Sequence, residues 1–206
     1  MRVTVIDYKA GNLTSVLKTL KHLGAETIVT DGDLKLVESA ERIVLPGVGH
    51  FAATKRLDET GLTGAIRAAI AKGVPFLGIC VGMQWLYAGS SEAPEQPGLG
   101  AFSETCTHFS ESKEKVPHVG WNSLDIREDS KLLAGVGKGE FVYFTHSFKG
   151  PVTKDTAAET FYIEPFAAAV ERGNVMGTQF HPEKSGATGL KILTNFLNWK
   201  LEAKKC

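Results

Sequence analysis

The chain has 206 residues, 43% hydrophobic and 22% charged, and its 23 basic and 23 acidic side chains cancel to a formal charge of zero. This length holds one substantial α/β core or at most two small units, and the balanced charge offers no electrostatic footprint for nucleic acid or an anionic membrane. No apolar run approaches the roughly 20 residues of a membrane-spanning helix, the start reads directly as a strand without signal-peptide organisation, and three cysteines are too few for a disulfide framework, so a cytoplasmic, reducing setting is expected.

Val3–Asp7 reads as a buried strand. A helix is predicted from about Asn12, with Val16, Leu17, Leu20 and Leu23 on one face and Gly24 as its stop. A strand at Glu26–Thr30, a short helix near Asp33–Glu38 and a strand at Arg42–Leu45 follow. Helical segments are predicted over Phe51–Leu57 and Leu62–Lys72, then a strand at Val74–Ile79 running into a helix after Cys80. This alternation implies right-handed crossovers and a parallel sheet with helices on both faces, and its ligand belongs at the carboxyl ends of the strands. Beyond a Ser90–Gly100 loop the character changes. Ala101–Phe109, Val119–Ile126, Glu140–Phe148, Thr156–Phe161, Phe166–Val170 and Val175–Phe180 are short strand-like runs, so the second half is expected to extend the sheet with antiparallel strands. A terminal helix over about Gly189–Ala203 carries Leu190, Leu193, Phe196, Leu197 and Leu201 on one face. The expectation is one α/β domain over 1–206, with a mixed, mostly parallel sheet.

Gly78-Ile79-Cys80-Val81-Gly82 ends an apolar strand on a cysteine with glycine two residues to either side. G-x-C-x-G is the thiol form of the nucleophile elbow, where backbone passes so close to backbone that a β-carbon collides. A cysteine at a helix N-terminus also meets free N–H groups, which favour thiolate. A merely buried cysteine beside a loop is the bland alternative, and the paired glycines weigh against it. Gln179-Phe180-His181-Pro182-Glu183 supplies a base and a carboxylate that project to one side of an extended chain. Taken singly, His181 and Glu183 are ordinary; their value comes from occurring with the elbow. Leu45-Pro46-Gly47-Val48-Gly49 is a strand ending in a glycine-rich turn, whose N–H groups, with that of Val81, fit an oxyanion site. The full dinucleotide fingerprint and the P-loop are both absent. Cys106, His108 and His118 lack zinc-ligand spacing, so neither a metal nor a cofactor is expected.

Together these segments resemble the class I, triad-type glutamine amidotransferases, whose cysteine attacks the side-chain amide of glutamine and releases ammonia. The resemblance covers nearly the whole chain and implies a flavodoxin-like fold. Asp7-Tyr8-Lys9-Ala10-Gly11-Asn12-Leu13, Pro46–Phe51, Pro117-His118-Val119-Gly120-Trp121-Asn122 and His181-Pro182-Glu183-Lys184-Ser185 are similar to the branch that serves imidazole glycerol phosphate synthases. Two positions depart from that branch: Lys9 stands where glycine is common, and Thr145-His146-Ser147-Phe148 where a valine precedes the histidine and a tyrosine ends the run. The resemblance implies a catalytic triad of Cys80, His181 and Glu183, and an oxyanion strand at Gly47, Val48 and Gly49. It implies glutamine contacts at Gln84, Glu92 and the backbone of His146, Ser147 and Phe148. Asn12 and Trp121 would face a (βα)8-barrel cyclase subunit in a heterodimer, though a lone tryptophan is by default a core aromatic. The rivals are a glutaminase subunit of another triad amidotransferase, such as the one forming pyridoxal phosphate, and a stand-alone cysteine hydrolase. A non-catalytic binding module fits the intact Cys/His/Glu set poorly.

Overall fold

The computed structural model describes residues 1–10, 13–110 and 114–200. The first half runs β1 (Arg2–Ile6), α1 (Leu13–His22), β2 (Glu26–Thr30), α2 (Leu34–Glu38), β3 (Ile43–Gly47), α3 (Lys55–Glu59), α4 (Leu62–Ala71), β4 (Phe76–Cys80) and α5 (Val81–Gln84). β3 and β4 are buried at every residue and β1 at all but its first, as continuous apolar runs demand of strands covered on two sides. Asp33 caps α2 by accepting the Lys35 N–H at 3.0 Å. α4 buries Leu62, Ala65, Ile66 and Ala69 along one stripe.

The second half contains β5 (Gly89–Ser90), β6 (Thr105–His108), β7 (His118–Ser123), β8 (Asp125–Ile126), β9 (Phe141–His146), β10 (Phe148–Lys149), β11 (Thr156–Tyr162), β12 (Glu164–Arg172), β13 (Val175–Thr178) and α6 (Gly186–Leu197). One eight-stranded sheet has the order β2-β1-β3-β4-β13-β12-β11-β8. Its pairings are parallel from β2 to β13 and antiparallel from β13 to β8. The parallel part follows the 2-1-3-4-5 order of doubly wound sheets, with β13 in fifth place. A three-stranded sheet β10-β6-β5 and a two-stranded ribbon β7-β9 lie outside it.

Several boundaries differ from the sequence reading, each for a local reason. Phe51–Leu57 divides into a 3-10 turn (Phe51–Thr54), capped by His50 Nδ1 accepting the Ala52 N–H at 3.1 Å, and α3. Val119–Ile126 breaks at Leu124, where the chain leaves the ribbon with β9 and joins β11 of the main sheet. Glu140–Phe148 breaks at Ser147, whose carbonyl accepts the Phe109 N–H as the chain passes from β9 to β10. Only Thr105–His108 of the Ala101–Phe109 run is strand. α6 begins three residues early and ends at Leu197, because Arg42 takes up the carbonyls of Phe196 and Trp199 at 3.4 and 3.0 Å. The last expected helical positions, 201–203, lie outside the described residues, as does the expected start at Asn12.

Candidate active site

Cys80 closes β4 with φ +55° and ψ −111°, a conformation L residues rarely hold outside strained functional turns. The flanking glycines explain how the turn closes. A β-carbon on Gly78 would overlap the Gly82 carbonyl, and one on Gly82 would overlap the carbonyl of Leu45 in β3. The helix that follows is a single turn, shorter than the sequence suggests, so the aligned dipole behind the thiol is small.

Parallel register does the rest of the assembly. Gly47 pairs with Cys80 across β3–β4, and Thr178 pairs with Ile79 across β13–β4. Gln179 therefore emerges beside Cys80 and His181 two residues on, which closes a separation of 101 residues (181 − 80) with one strand pairing. His181 is 1% exposed. Its backbone N–H donates to the Tyr143 carbonyl at 2.9 Å, and its carbonyl accepts the Ser185 hydroxyl at 2.6 Å. Its Nδ1 lies 2.8 Å from Glu183 Oε1, both side chains being almost fully buried. The pair forms differently from expectation. Pro182–Lys184 is a 3-10 turn with His181 at its N-cap, so Glu183 folds back onto the ring instead of sharing a strand face with it. Burial disfavours the imidazolium, but the Cys80 sulfur and the Glu183 carboxylate outweigh it and raise the His181 pKa from 6.5 to about 9. The buried Nε2 makes no regular hydrogen bond, leaving it free for proton transfer beside the thiol.

A cavity of about 230 Å³ opens over Cys80. Its lining includes Val48, Gly49, Val81, Gln84, Glu92 and the His146–Phe148 segment, bringing together the expected oxyanion and glutamine-contact residues except Gly47. Gly47 lies just beneath, with a β-carbon there overlapping the hydroxyl of buried Tyr8. The Val48 N–H is already donated to the Ala10 carbonyl at 2.8 Å and so is not available to an oxyanion in this conformation. Gly49 holds φ +105°. Glu92 accepts the Phe51 N–H at 2.7 Å, and Gln84 Nε2 donates to the carbonyl of Phe148 at 2.9 Å. Both ring nitrogens of His146 are engaged, Nδ1 with the Phe148 carbonyl and Nε2 with His118 Nδ1, so only its backbone is left for a ligand.

Trp121 is 56% exposed on the outer face of β7, where it meets Tyr143 edge-on, with exposed Val119 and Phe141 on the same ribbon. This excludes a core role for it. Asn12 lies outside the described residues. Sequence reasoning missed Tyr8, Gln179, Pro117 and Thr145, which surround the same site. The available signal for Gln179 was an amide side chain set between the strand-like run from Val175 and the Phe180-His181 pair. Among the described residues no group of three or more His, Cys, Asp or Glu side chains could hold a metal ion, and no helix is long and apolar enough to cross a membrane.

Residues 4–199 match the family model described as glutamine amidotransferase class-I. The chain is 44% identical over 201 residues to the imidazole glycerol phosphate synthase subunit HisH of Methanosarcina barkeri, covering 96% of this chain and 98% of that one. The protein of the same name from Deinococcus radiodurans is 45% identical, with 94% and 92% covered. Among solved structures, a glutamine amidotransferase superposes with TM-score 0.74 at 20% identity over 95% and 96% of the two chains, and PurLQS of Thermotoga maritima with 0.71 at 21% identity over 96% and 97%.

Proposed function

The chain belongs to the class I glutamine amidotransferases, and from that premise we propose that it is the glutaminase subunit of an imidazole glycerol phosphate synthase, in histidine biosynthesis. The observation that carries the catalytic assignment is an elbow cysteine beside a buried His181–Glu183 pair under a cavity large enough for an amino acid. Cys80 thiolate attacks the amide carbon of glutamine, and His181 gives a proton to the departing ammonia. The glutamyl thioester is then hydrolysed by water that His181 deprotonates, which returns the thiolate and releases glutamate. Glu183 holds the ring by Nδ1 and stabilises its charged form. Gly47, Val48, Gly49 and Val81 border the oxyanion, while Gln84, Glu92 and the backbone of His146–Phe148 border the rest of the substrate.

The ammonia passes to a (βα)8-barrel cyclase subunit, which makes imidazole glycerol phosphate and an aminoimidazole carboxamide ribotide. Support for docking is the ribbon beside the cavity, where Val119, Trp121 and Phe141 expose apolar surface. The chain acts as a single domain over 1–206 in the cytoplasm. An electrophile that mimics glutamine tests the site: it labels Cys80 and spares Cys106, a fully buried thiol pushed upward in pKa by that burial. Label on Cys106 sinks the assignment. Cys80→Ser removes glutamine-dependent synthesis in the complex while ammonium salts still sustain it, and loss of both reactions sinks the division of labour.

A further inference from the structure

The geometry points to Gln179 as a further catalytic residue, the side-chain amide that donates its N–H to the Cys80 thiolate. Gln179 is completely buried, and its Nε2 lies 3.7 Å from Cys80 Sγ. The inference rests on Cys80 being the nucleophile and goes beyond the triad.

The direction of that amide is dictated by the hydrogen bonds behind it. The Phe148 carbonyl can only accept, and it lies 2.9 Å from the Gln84 amide, so Gln84 presents Nε2 there. The same Nε2 lies 3.1 Å from the Gln179 side chain and has only a second hydrogen to offer. Gln179 must therefore present Oε1 to Gln84, which leaves its own Nε2 facing the sulfur. One backbone carbonyl thus fixes, through two buried amides, a donor at the reacting atom. His146 reinforces the origin of this chain, since its Nδ1–H also donates to Phe148 O at 2.9 Å.

A thiolate accepts such a bond more strongly than a thiol does, so the donor favours the reactive form. Beside the same sulfur the Thr145 carbonyl, 3.9 Å away, can only accept, so it gives a thiolate no hydrogen bond, whereas the Gln179 amide does. When the glutamyl thioester forms, the sulfur loses its charge and the bond weakens. When the thioester breaks, the bond strengthens, so the amide assists sulfur as leaving group in the second half-reaction.

The test is the second-order rate of Cys80 alkylation by iodoacetamide, mapped by peptide and measured against pH in the purified chain. This readout needs neither glutamine nor a partner. Gln179→Leu, which has no donor, slows alkylation at pH 7 about tenfold and displaces its pH profile upward, while the melting temperature monitors folding. Gln179→Glu keeps the shape and the acceptor for Gln84 but loses the donor, and it shifts the profile in the same direction. A Gln179→Leu profile that superposes on the wild type overturns the inference, as does an effect confined to Gln179→Glu, which would reflect added charge alone. An unlabelled Cys80 in the wild-type chain would instead overturn the nucleophile assignment and this inference with it.

Discussion

In the proposed mechanism His181 moves protons in both half-reactions, whereas Glu183 only holds the ring and stabilises its charge, so the two differ in cost. His181→Ala abolishes glutamine turnover. Glu183→Gln, which keeps an oxygen 2.8 Å from Nδ1 but loses the charge, retains activity lower by on the order of ten-thousandfold. Steady-state glutamate release separates them, and equal, complete loss in a folded Glu183→Gln chain contradicts the orienting role. The same ring predicts a pH dependence of stability. Its folded pKa of about 9 exceeds the unfolded 6.5, so the folded state holds the proton more tightly. The contribution is fully present below about pH 6.5 and is lost as pH rises toward 9. His118 and His146 act oppositely: burial lowers them to about 4 and about 3, so their neutral forms stabilise above pH 6.5 and that benefit fades on acidification. Urea titrations at several pH values check both. The stability gap between wild type and His181→Gln narrows from pH 6.5 to 9, and a His118→Gln/His146→Gln chain is less acid-sensitive than wild type between pH 6.5 and 5.

At the scale of elements, the glycine-rich turn after β3 is held by close contacts that only glycine permits. A β-carbon at Gly47 would overlap the Tyr8 hydroxyl and approach Val81 Cβ to 2.9 Å. Gly47→Ala therefore destabilises by about 1–3 kcal/mol, the usual cost of overpacking a filled core. Tyr8→Phe removes the obstructing oxygen, which has no hydrogen-bond partner of its own. The double variant recovers part of the loss, and a double-mutant cycle by denaturant unfolding reads the coupling; strict additivity refutes the contact. This turn was legible in the sequence, because glycine pairs around a strand end have few other uses. The divided strands of the second half were not. Leu124 and Ser147 look like ordinary strand residues, and what ends each strand is a change of partner, β9 to β11 in one case and β7 to β6 in the other, which local pattern does not record. The His181–Glu183 contact was foreseen, but on an extended chain; that Pro182 begins a 3-10 turn was not read.

At the scale of the whole molecule, the motifs announced themselves one by one, while their juxtaposition depends on β3, β4 and β13 being neighbours in the sheet. That order comes from crossover topology, which explains why Gln179 and Tyr8 escaped notice despite lying beside Cys80. It also frames the control problem. Ammonia released without an acceptor wastes glutamine, and the described conformation is guarded, because the Val48 N–H is bound to the Ala10 carbonyl. Gly47 borders that peptide and Gly49 follows Val48 at φ +105°, so the backbone on either side of Val48 adjusts to its rotation at low steric cost. We propose that a partner subunit docked on the Trp121 ribbon favours the rotated state, since Thr145 of β9 and Val48 line one cavity. One recovered oxyanion donor is worth about 3 kcal/mol, on the order of a hundredfold in rate. Glutamate production by the purified chain is therefore nearly silent alone and rises about a hundredfold or more with the cyclase subunit and its ligand. Gly49→Ala, strained at φ +105°, blunts the rise more than it weakens association, whereas Trp121→Ala weakens association first. Initial rates with and without partner, alongside calorimetric affinities, distinguish the two variants. A lone chain already running at the rate of the complex refutes the switch and favours the stand-alone hydrolase.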